Sequence, residues 1–492
     1  MSNAKDHKKE SCDLLKNIML LNPPLSSSLR GGALKAAVAR SIPYGLLSLA
    51  SVIRKAGYRV SILDATNLEL GVEETVRAIA DMRPDYLGIT TVTLSVENAA
   101  EVAAKIKERL SGIIVLAGGA HVSSAPTETM QRLRSFDVGV IGEGEETILE
   151  VLSCLDEGRS LDGVLGVIFR KDGAVVRNKR RPLIQDLDAL PLPAWNLLRG
   201  MPEFYRPSAP SHVRLPSTTI VTSRGCNGNC LFCNSKALFG RLRCFSADYV
   251  VAMINHLIGS YGIRDISIYD DNFILDRERV ERICRAMIDA RLDLTWSCYS
   301  RADQGDPGLF SLMKRAGCWQ VSFGIESGSQ KILDFIRKGI TLEQVRQTVA
   351  ATKRAGIRTR GFFIMGHLLE TPGTIQETIR FMNEIPLDDF HFTYFTPLPG
   401  TPAYSIAERY GTFDKTWSKT SMQIPVFLPK GLTADDLERY SKKAYAKFYF
   451  RPRVIAAYLR MLIKYPGNIK RLWNGFVALM TRVFSKGHTA KS

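Results

Sequence analysis

Three of the nine cysteines in the chain lie within eight residues, at Cys226, Cys230 and Cys233. Three thiolates in one short loop can wrap a cube of iron and sulfide, with each sulfur reaching a separate corner. A closed zinc site needs four ligands, and the nearest further thiol, Cys244, lies eleven residues downstream. The C-x3-C-x2-C spacing therefore favours an iron–sulfur cluster with one iron left open over a zinc site.

The same loop resembles the motif of the radical S-adenosylmethionine superfamily, in which an aromatic residue precedes the last cysteine, as Phe232 does here. The resemblance covers about residues 216–402. It implies a [4Fe–4S] cluster on Cys226, Cys230 and Cys233, whose open iron binds S-adenosylmethionine. In this superfamily one electron from the cluster cleaves the sulfonium to methionine and a 5′-deoxyadenosyl radical. It also implies a reducing electron donor such as flavodoxin or ferredoxin.

Strand-like and helical patterns alternate from the cysteine loop onwards. The predicted strands are Thr218–Thr222, Asp265–Tyr269, Thr295–Tyr299, Gln320–Gly324, Thr359–Met365 and Phe390–Phe395. Six strand–helix units in about 180 residues predict a partial (β/α)6 TIM-like barrel.

Polar residues follow these strands, and the resemblance implies that they bind S-adenosylmethionine. Asp270 and Asp271 are expected to meet the methionyl ammonium, or else to cap the next helix. Arg301 is expected either to bind a carboxylate or to form a surface ion pair. The other residues expected at S-adenosylmethionine are Phe232, Glu326, Ser327, Gly366 and Glu370. Leu368 and Leu369 replace the Pro and Gly that relatives often have in the last of these loops.

A first series of strands precedes the barrel. Its predicted members are Asn17–Asn22, Arg59–Asp64, Tyr86–Thr90, Ile113–Ala117 and Val138–Gly142. Their alternation with helices predicts a doubly wound parallel sheet of Rossmann-like type. In such sheets ligands bind beyond the carboxyl ends of the strands.

The loops at those ends contain Gly-Gly-x-His at 118–121 and Gly-Glu-Gly-Glu at 142–145, and the domain resembles the cobalamin-binding domain that precedes the barrel in one large subgroup. The residues expected at cobalamin are Thr66, Thr90, Thr91, Gly118, Gly119, His121, Gly142, Glu143 and Gly144.

One departure concerns the lower cobalt ligand. Where the familiar motif reads Asp-x-His-x-x-Gly, this chain reads Asp64-Ala65-Thr66-Asn67, without a histidine. The cobalt is then expected to have an open or water-bound lower face; the alternative is that the domain has lost cobalamin and kept its fold. His121 comes from a different loop and is expected to be a hydrogen-bonding residue rather than a replacement ligand.

Charge divides the chain into a body and a tail. The net charge is +17, and thirteen Lys or Arg with no Asp or Glu lie between residues 439 and 492, which leaves about +4 for the first 438 residues. Two interpretations of these basic, aromatic-rich helices stay open: a solvated helical cap on the barrel, or a peripheral anchor on an anionic membrane. Nucleic-acid binding is not expected, because no known RNA-binding module follows the barrel.

Composition sets the remaining limits. With 45% apolar and 23% charged residues the chain is globular rather than disordered. The first fifteen residues do not resemble a secretory signal, and no apolar run reaches about 18 residues. We therefore expect a cytoplasmic protein, with membrane association on the cytoplasmic face as the alternative. The predicted divisions are an N-terminal tail 1–16, a cobalamin-binding-type domain 17–182, a connector 183–215, a radical S-adenosylmethionine barrel 216–425 and a basic helical region 426–492.

These features predict a radical S-adenosylmethionine enzyme that uses cobalamin to methylate an unactivated carbon of a small-molecule or lipid-like substrate. No catalytic residue is assigned. With the same cofactors, oxidative cyclisation, ring rearrangement or carbon–carbon bond formation is the alternative. A methylthiotransferase is disfavoured, because the first domain offers only Cys12 and Cys154 and the end of the chain is helical. A non-catalytic cobalamin or iron–sulfur sensor is disfavoured by the acids at the strand ends.

Overall fold

The structure is a computed structural model, which describes residues 16–25, 40–205 and 211–484. The predicted N-terminal tail 1–16, apart from its last residue, lies outside these ranges. So do Cys12 and residues 485–492 of the predicted basic region.

The first domain contains a seven-stranded sheet of order β2-β1-β3-β4-β5-β6-β7. Its strands are β1 (Asn17–Asn22), β2 (Arg59–Asp64), β3 (Tyr86–Thr90), β4 (Ile114–Gly118), β5 (Val138–Val140), β6 (Val167–Lys171) and β7 (Ala174–Arg177). The first five strands are parallel, whereas β6 and β7 form an antiparallel hairpin on the edge at β5. The predicted parallel sheet is confirmed, and the hairpin adds an antiparallel edge that the strand pattern did not indicate.

Helices cover both faces of this sheet. They are α1 (Tyr44–Lys55), α2 (Val72–Met82), α3 (Val96–Arg109), α4 (Ala120–Ser124), α5 (Pro126–Arg132) and α6 (Glu145–Asp156). Successive residues of β1 point to opposite faces, so Ile18 packs into the cluster with α1 and Met19 into the cluster with α3. A strand buried on both faces must be apolar throughout, which explains the run from Ile18 to Leu21.

The second domain is a curled parallel sheet of order β15-β14-β13-β12-β11-β8. Its strands are β8 (Ser217–Ile220), β11 (Asp265–Ile268), β12 (Thr295–Arg301), β13 (Cys318–Glu326), β14 (Arg358–Met365) and β15 (Asp389–Tyr394). Within the described residues β15 does not pair with β8, so the barrel is partial, as predicted. A short antiparallel ribbon, β9 (Ser223–Arg224) with β10 (Arg243–Cys244), stands beside it.

The helices of this domain are α7 (Ser235–Phe239), α8 (Ala247–Tyr261), α9 (Arg277–Asp289), α10 (Pro307–Arg315), α11 (Gln330–Phe335), α12 (Leu342–Arg354), α13 (Pro372–Glu384) and α14 (Pro402–Tyr410). One hydrophobic cluster fills the barrel and continues into the predicted connector, where Leu187 and Trp195 are fully buried. The connector therefore joins the two domains as part of the core.

The predicted basic helical region 426–492 begins with a short strand and not with a helix. The strands β16 (Gly411–Phe413) and β17 (Phe427–Pro429) pair as an antiparallel ribbon. Each has only three residues, which is too short for a period-two pattern to show.

Three helices end the described chain: α15 (Ala434–Tyr449), α16 (Pro452–Lys464) and α17 (Ile469–Phe484). Helix α15 runs along the barrel, since Leu437 lies against Gly366 at the end of β14 and Tyr449 bonds to Asp389 at the start of β15. Helix α16 continues at the N-terminal ends of the strands, where Tyr458 stacks on Arg358.

The last two helices leave large apolar side chains exposed. These are Ile455, Leu459, Ile463, Ile469, Trp473, Phe476, Val477 and Phe484. In the described part of the chain, no helix combines the length and the apolarity that crossing a bilayer requires.

Candidate active site between the two domains

The cysteine loop begins where β8 ends and is closed at its base by the ribbon β9–β10. Cys226 and Cys230 approach each other around Gly228: a Cβ atom there would lie 3.4 Å from Cys226 Sγ and 3.8 Å from Cys230 Sγ. Among the described residues, no three His, Cys, Asp or Glu side chains converge on a single metal-ion position. The loop thus brings thiols together without arranging them around one ion.

Backbone amides in the loop donate hydrogen bonds to sulfur. Gly228 N donates to Cys226 Sγ and Ser235 N donates to Cys233 Sγ, both at 3.4 Å. Burial raises the pKa of Cys230, and it raises that of Cys233 to about 11. Cys230 and Cys233 therefore hold their protons until a metal displaces them. Cysteine sulfurs that accept hydrogen bonds from backbone amides fit an iron–sulfur cluster.

Backbone packing sets the conformation at the entry to the loop. Gly225 has φ of +84°, and a Cβ atom there would lie 2.6 Å from Arg241 O and 2.9 Å from Gly240 O and Phe239 O. Only a glycine can occupy this position, which immediately precedes Cys226.

Two cationic side chains lie beside the thiols. Arg301 Nη1 is 3.4 Å from the position that a Cβ of Gly228 would take, while Nη2 donates to Asp303 Oδ2 at 2.9 Å and to Lys338 O at 2.7 Å. Lys338 is buried and its Nζ donates to Glu326 Oε1 at 2.8 Å. Burial lowers the pKa of Lys338, but Glu326 outweighs this and raises it overall. Both cations lower the pKa of Cys230, which offsets part of the effect of burial on this thiol.

The two predicted acids have different surroundings. Asp270 is buried, and its carboxylate accepts bonds from Thr222 N at 2.6 Å, Thr222 Oγ1 at 2.5 Å and Ser223 N at 3.2 Å. Its oxygens thus hold the start of the cysteine loop. Asp271 accepts a bond from Ser235 Oγ and lines the cavity between the domains. Burial raises the pKa of both carboxyls. Asp271 is therefore the acid that can reach a ligand, and its role with S-adenosylmethionine stays a prediction.

The loops after β13 and β14 are held by their own polar groups. Ser327 Oγ lies 3.1 Å from Thr378 Oγ1 and accepts from Ser329 N at 3.1 Å. Glu370 Oε2 accepts from Gly366 N at 2.6 Å and from His367 N at 3.1 Å. Their hydroxyl and carboxylate groups thus set the shape of these loops.

His367 lies between the cysteine loop and these turns. Its ring is fully buried, 6.4 Å from Phe232 and 5.3 Å from Phe395 between centroids. Burial lowers its pKa to about 4, so the ring is neutral, and its Nδ1 has no hydrogen-bond partner. A neutral imidazole therefore lies beside Phe232, whose predicted contact with S-adenosylmethionine stays a prediction.

One cavity of about 380 Å³ lies between the first domain and the barrel. From the predicted cobalamin residues it is lined by Thr90, Gly118, Gly119, Gly142, Glu143 and Gly144, and from the barrel by Gly225, Tyr269 and Asp271. Four glycines at the strand ends, Gly118, Gly119, Gly142 and Gly144, contribute bare backbone to the first-domain wall. At Gly119, with φ of +94°, a Cβ would lie 2.7 Å from Thr91 O. A floor of bare backbone at the strand ends fits a large flat ligand such as a corrin.

Three predicted cobalamin residues lie outside this lining. Thr91 donates to Gly118 O at 2.8 Å, and Thr66 donates to Pro23 O at 2.5 Å. His121 is buried against Trp417, with ring centroids 4.4 Å apart, and its Nδ1 lies 3.1 Å from Thr93 Oγ1. Burial lowers the pKa of His121 to about 4. These side chains support the loops beneath the cavity, and their contact with cobalamin stays a prediction.

Sequence reasoning did not assign the charged residues that join the domains. Arg224 and Arg243 lie opposite each other in the two strands of the ribbon. Arg224 forms ion pairs with Glu143 and Glu145, and Arg243 forms one with Glu143. Arg224 was visible in the cysteine motif, but its partners lie about 80 residues away. No sequence motif marks Lys338, because it lies in the turn after α11 and only the fold brings it near the thiols.

Comparison with known proteins gives two family matches. A B12 binding domain model matches residues 33–152, and a Radical SAM superfamily model matches residues 220–382. An uncharacterized methyltransferase of Pyrococcus horikoshii is 35% identical over 89% of this chain and 93% of its own length. An anaerobic magnesium-protoporphyrin IX monomethyl ester cyclase of Rubrivivax gelatinosus is 26% identical over 83% of this chain and 73% of its own length.

Among solved structures, the fold is similar to that of TsrM, a radical S-adenosylmethionine methyltransferase from Kitasatospora setae with cobalamin and a [4Fe–4S] cluster bound. The TM-score is 0.68 at 19% identity, over 89% of this chain and 90% of that one.

Replacing Gly225 by Ala tests the backbone constraint on the cysteine loop. The left-handed φ and the three close carbonyls are expected to weaken iron binding about tenfold or more, as a strain of 1–3 kcal/mol would. Iron and sulfide per chain, measured after anaerobic reconstitution at limiting iron, report the change. Gly259→Ala, in an exposed turn of α8 with no atom within 4 Å of the new Cβ, is the control and should load normally. Normal loading of Gly225→Ala would show that the loop tolerates a side chain there.

Glu370 predicts a pH dependence of stability. Burial raises its pKa from 4.5 to about 7, so between these values the folded state binds more protons than the unfolded state. The contribution of Glu370 to the free energy of unfolding is therefore highest below pH 4.5. It falls as the pH rises to about 7, by at most about 1.4 kcal/mol per pH unit.

Glu370→Gln keeps an acceptor oxygen and cannot ionise. The difference in urea midpoint between wild type and this variant should shrink between pH 5 and pH 7. A difference that stays constant across this range would mean that Glu370 ionises at its ordinary pKa.

Proposed function

The chain belongs to the radical S-adenosylmethionine superfamily, in its cobalamin-binding group, and on this premise we propose that it transfers a methyl group to an unactivated carbon of a small organic molecule. The two matched domains and the 35% identical relative confirm the predicted family, fold class and cofactors. The methyl acceptor and the site residues are part of the proposal.

One observation carries the proposal: a single cavity is lined by both domains. Its first-domain wall is the glycine-rich floor at the carboxyl ends of β3 to β5. Its opposite wall contains Gly225, which precedes Cys226, together with Asp271. Methyl transfer that uses both cofactors requires their reacting atoms to meet over one substrate, and this cavity is where the two domains face each other.

Different side chains around the cysteine loop have different proposed roles. We propose that Cys226, Cys230 and Cys233 hold the cluster, with Arg301 and Lys338 supplying positive charge beside them. Asp271 faces the cavity and would accept hydrogen bonds from the ammonium group of S-adenosylmethionine. Phe232 and His367 form an apolar wall that excludes water. When bound, the cluster supplies the electron that opens the sulfonium, and cobalamin carries the methyl group.

The lower cobalt ligand is absent from the position where the family motif has histidine. The loop at Asp64 is closed by polar side chains instead: Asn22 Nδ2 and Asn67 Nδ2 donate to the Asp64 carboxylate at 2.8 and 2.7 Å. Thr66, at the histidine position, bonds to Pro23 O. We propose that this chain provides no lower imidazole for cobalt.

Ring formation on a conjugated substrate is a second candidate, favoured by the 26% identity to the Rubrivivax gelatinosus cyclase over 83% of this chain. Product mass separates the two activities, because methylation adds one CH2 unit whereas an oxidative cyclisation removes hydrogen.

Both activities need a reductant, and we propose a flavodoxin- or ferredoxin-type protein as the electron donor.

The central test is anaerobic reconstitution of the variant in which Cys226, Cys230 and Cys233 are all Ala. The variant should lose the visible absorption of the cluster and more than about 99% of 5′-deoxyadenosine formation, since without thiolates nothing binds the iron. Hydroxocobalamin should still bind, because its floor lies in the first domain. Asn229→Ala, an exposed change in the same loop, is the control and should keep all three properties. Cluster absorption that survives in the triple variant would remove the basis of the proposal.

We further propose that α16 and α17 contact an anionic membrane surface peripherally. Exposed Trp473, Phe476 and Ile463 give the pair an apolar surface, and no acid accompanies its basic residues. Lys443 and Lys447 of α15 line a groove with Arg380 and Glu384, in which three cations outnumber one acid. Apolar side chains with neighbouring Lys and Arg are typical of helices that lie in the headgroup region.

Vesicles of phosphatidylglycerol and phosphatidylcholine test this contact. Wild type should sediment with the vesicles at low salt. Replacing both Trp473 and Phe476 by Ala should weaken binding about tenfold, because two aromatic side chains that would insert into the headgroup region are lost. Met82→Ala with Val92→Ala removes similarly exposed apolar side chains from the first domain and should bind like wild type. Equal binding of all three proteins would refute the membrane contact.

A further inference from the structure

A buried network of four charges joins the first domain to the base of the cysteine loop. Arg224 Nη1 donates to Glu143 Oε1 at 2.8 Å, and Arg224 Nη2 donates to Glu145 Oε1 at 2.5 Å. Arg243 Nη1 and Nη2 donate to Glu143 Oε2 and Oε1 at 2.9 and 3.0 Å. The side chains of Glu143 and Glu145 are 4% and 6% exposed. We call these four residues the interdomain clamp.

The clamp acts on the ribbon from which the cysteine loop emerges. Arg224 and Arg243 are direct cross-strand partners in β9 and β10, and the whole loop from Gly225 to Leu242 lies between them. Two like charges opposite each other would push the strands apart. Glu143 lies between both guanidinium groups and cancels this repulsion, so a carboxylate of the first domain holds the base of the loop closed.

The carboxylates are held in turn by other segments. Ser48 Oγ of α1 donates to Glu145 Oε1 at 2.7 Å, and Ile184 N of the connector donates to Glu143 Oε2 at 2.9 Å. All four carboxylate oxygens are thus engaged within the protein, since Glu145 Oε2 also accepts from Arg224 at 3.3 Å. Glu143 was predicted to bind cobalamin, but its charge is used by the clamp.

Two more first-domain residues hold the same loop. Arg180 Nη2 donates to Ala237 O at 2.6 Å and to Leu238 O at 2.9 Å, at the end of α7. Ser124 Oγ accepts from Asn234 Nδ2 at 2.8 Å, one residue after Cys233. The loop is therefore fixed at its base, at its far helix and next to its last cysteine by the domain that carries the cavity floor.

We propose that Glu143 and Glu145 are positioning residues, which fix the cysteine loop at a set distance from the first-domain floor and do not bind cobalamin. The inference rests on the proposed function, because it assumes that the loop holds a cluster. Both glutamates lie in the wall of the cavity, and their carboxylates bond to the ribbon at the base of the loop. The same short segment, Gly142 to Glu145, thereby places the two halves of the active site.

The test uses the full chain with Glu143→Gln and Glu145→Gln together, reconstituted with iron and sulfide and then loaded with cob(II)alamin. The variant should bind cobalamin within about threefold of wild type, because no carboxylate contact to it is lost. Pulsed EPR between the reduced cluster and cob(II)alamin should give one narrow distance in wild type and a distribution about twofold wider in the variant. The reduced cluster alone should show broader EPR lines.

Glu146→Gln is the matched control, because Glu146 follows Glu145 directly and its side chain is 57% exposed. It should match wild type in every measurement. If the clamp variant fails to fold, Glu143→Gln with Arg243→Gln removes one charge of each sign, and should fold better than Glu143→Gln alone while still widening the distance distribution.

Unchanged distance and line widths in the clamp variants would overturn the inference. So would a loss of cobalamin affinity of more than about tenfold with an unchanged cluster signal, which would make Glu143 a cobalamin-binding residue. A wild type that binds no iron would instead overturn the proposed function.

Discussion

The cysteine loop takes little of its shape from regular secondary structure, since only the short helix α7 lies within it. Buried charge provides that shape instead. On the barrel side Asp270 accepts three bonds from Thr222 and Ser223, and Arg279 donates to Thr222 O at 2.7 Å. On the other side the interdomain clamp holds the ribbon. A carboxylate in a low-dielectric surrounding is costly unless each oxygen is bonded, so these groups fix the loop strongly once they are paired.

The second constraint is the direction of the strands. Strands β1 to β5 of the first sheet and all six strands of the second are parallel, so in each set the carboxyl ends lie along one edge. The two edges face each other across the cavity. The first domain contributes bare backbone at Gly118, Gly119 and Gly142, and the barrel contributes the side chain of Asp271. This division suits a site with two large cofactors, because one wall can accommodate a flat ring while the other holds a metal cluster and its polar ligand.

The sequence could predict what is locally encoded. The strands β1, β2 and β3 agree with prediction to the residue, because apolar runs flanked by polar turns define them. The cysteine spacing and Phe232 lie in one short segment and could be read directly. By contrast, the ribbon β9–β10 has two residues per strand, so it has no periodicity to detect.

Side-chain partners far apart along the chain could not be predicted in this way. Asp270 and Asp271 are neighbours of the same type, yet one bonds to the loop and the other lines the cavity. His121 and Thr66 follow strand ends like Thr90, but they turn towards Trp417 and Pro23 instead of the cavity. Which way such a side chain points depends on what packs beneath it. That information lies in segments 40 to 300 residues away.

The two ends of the barrel have separate tasks, and this bears on how the substrate reaches the site. At the N-terminal ends of the strands, Arg360 pairs with Asp389 at 2.7 Å, and the hydroxyl of Tyr449 bonds to the same carboxylate. Helix α16 covers this end, so its exposed apolar residues lie opposite the carboxyl ends where Gly225 and Asp271 line the cavity. A protein held on a bilayer by α16 would therefore present its cavity away from the lipid. Because α16 and the cavity lie at opposite ends of the strands, membrane contact through α16 does not by itself require a substrate that is delivered from the bilayer.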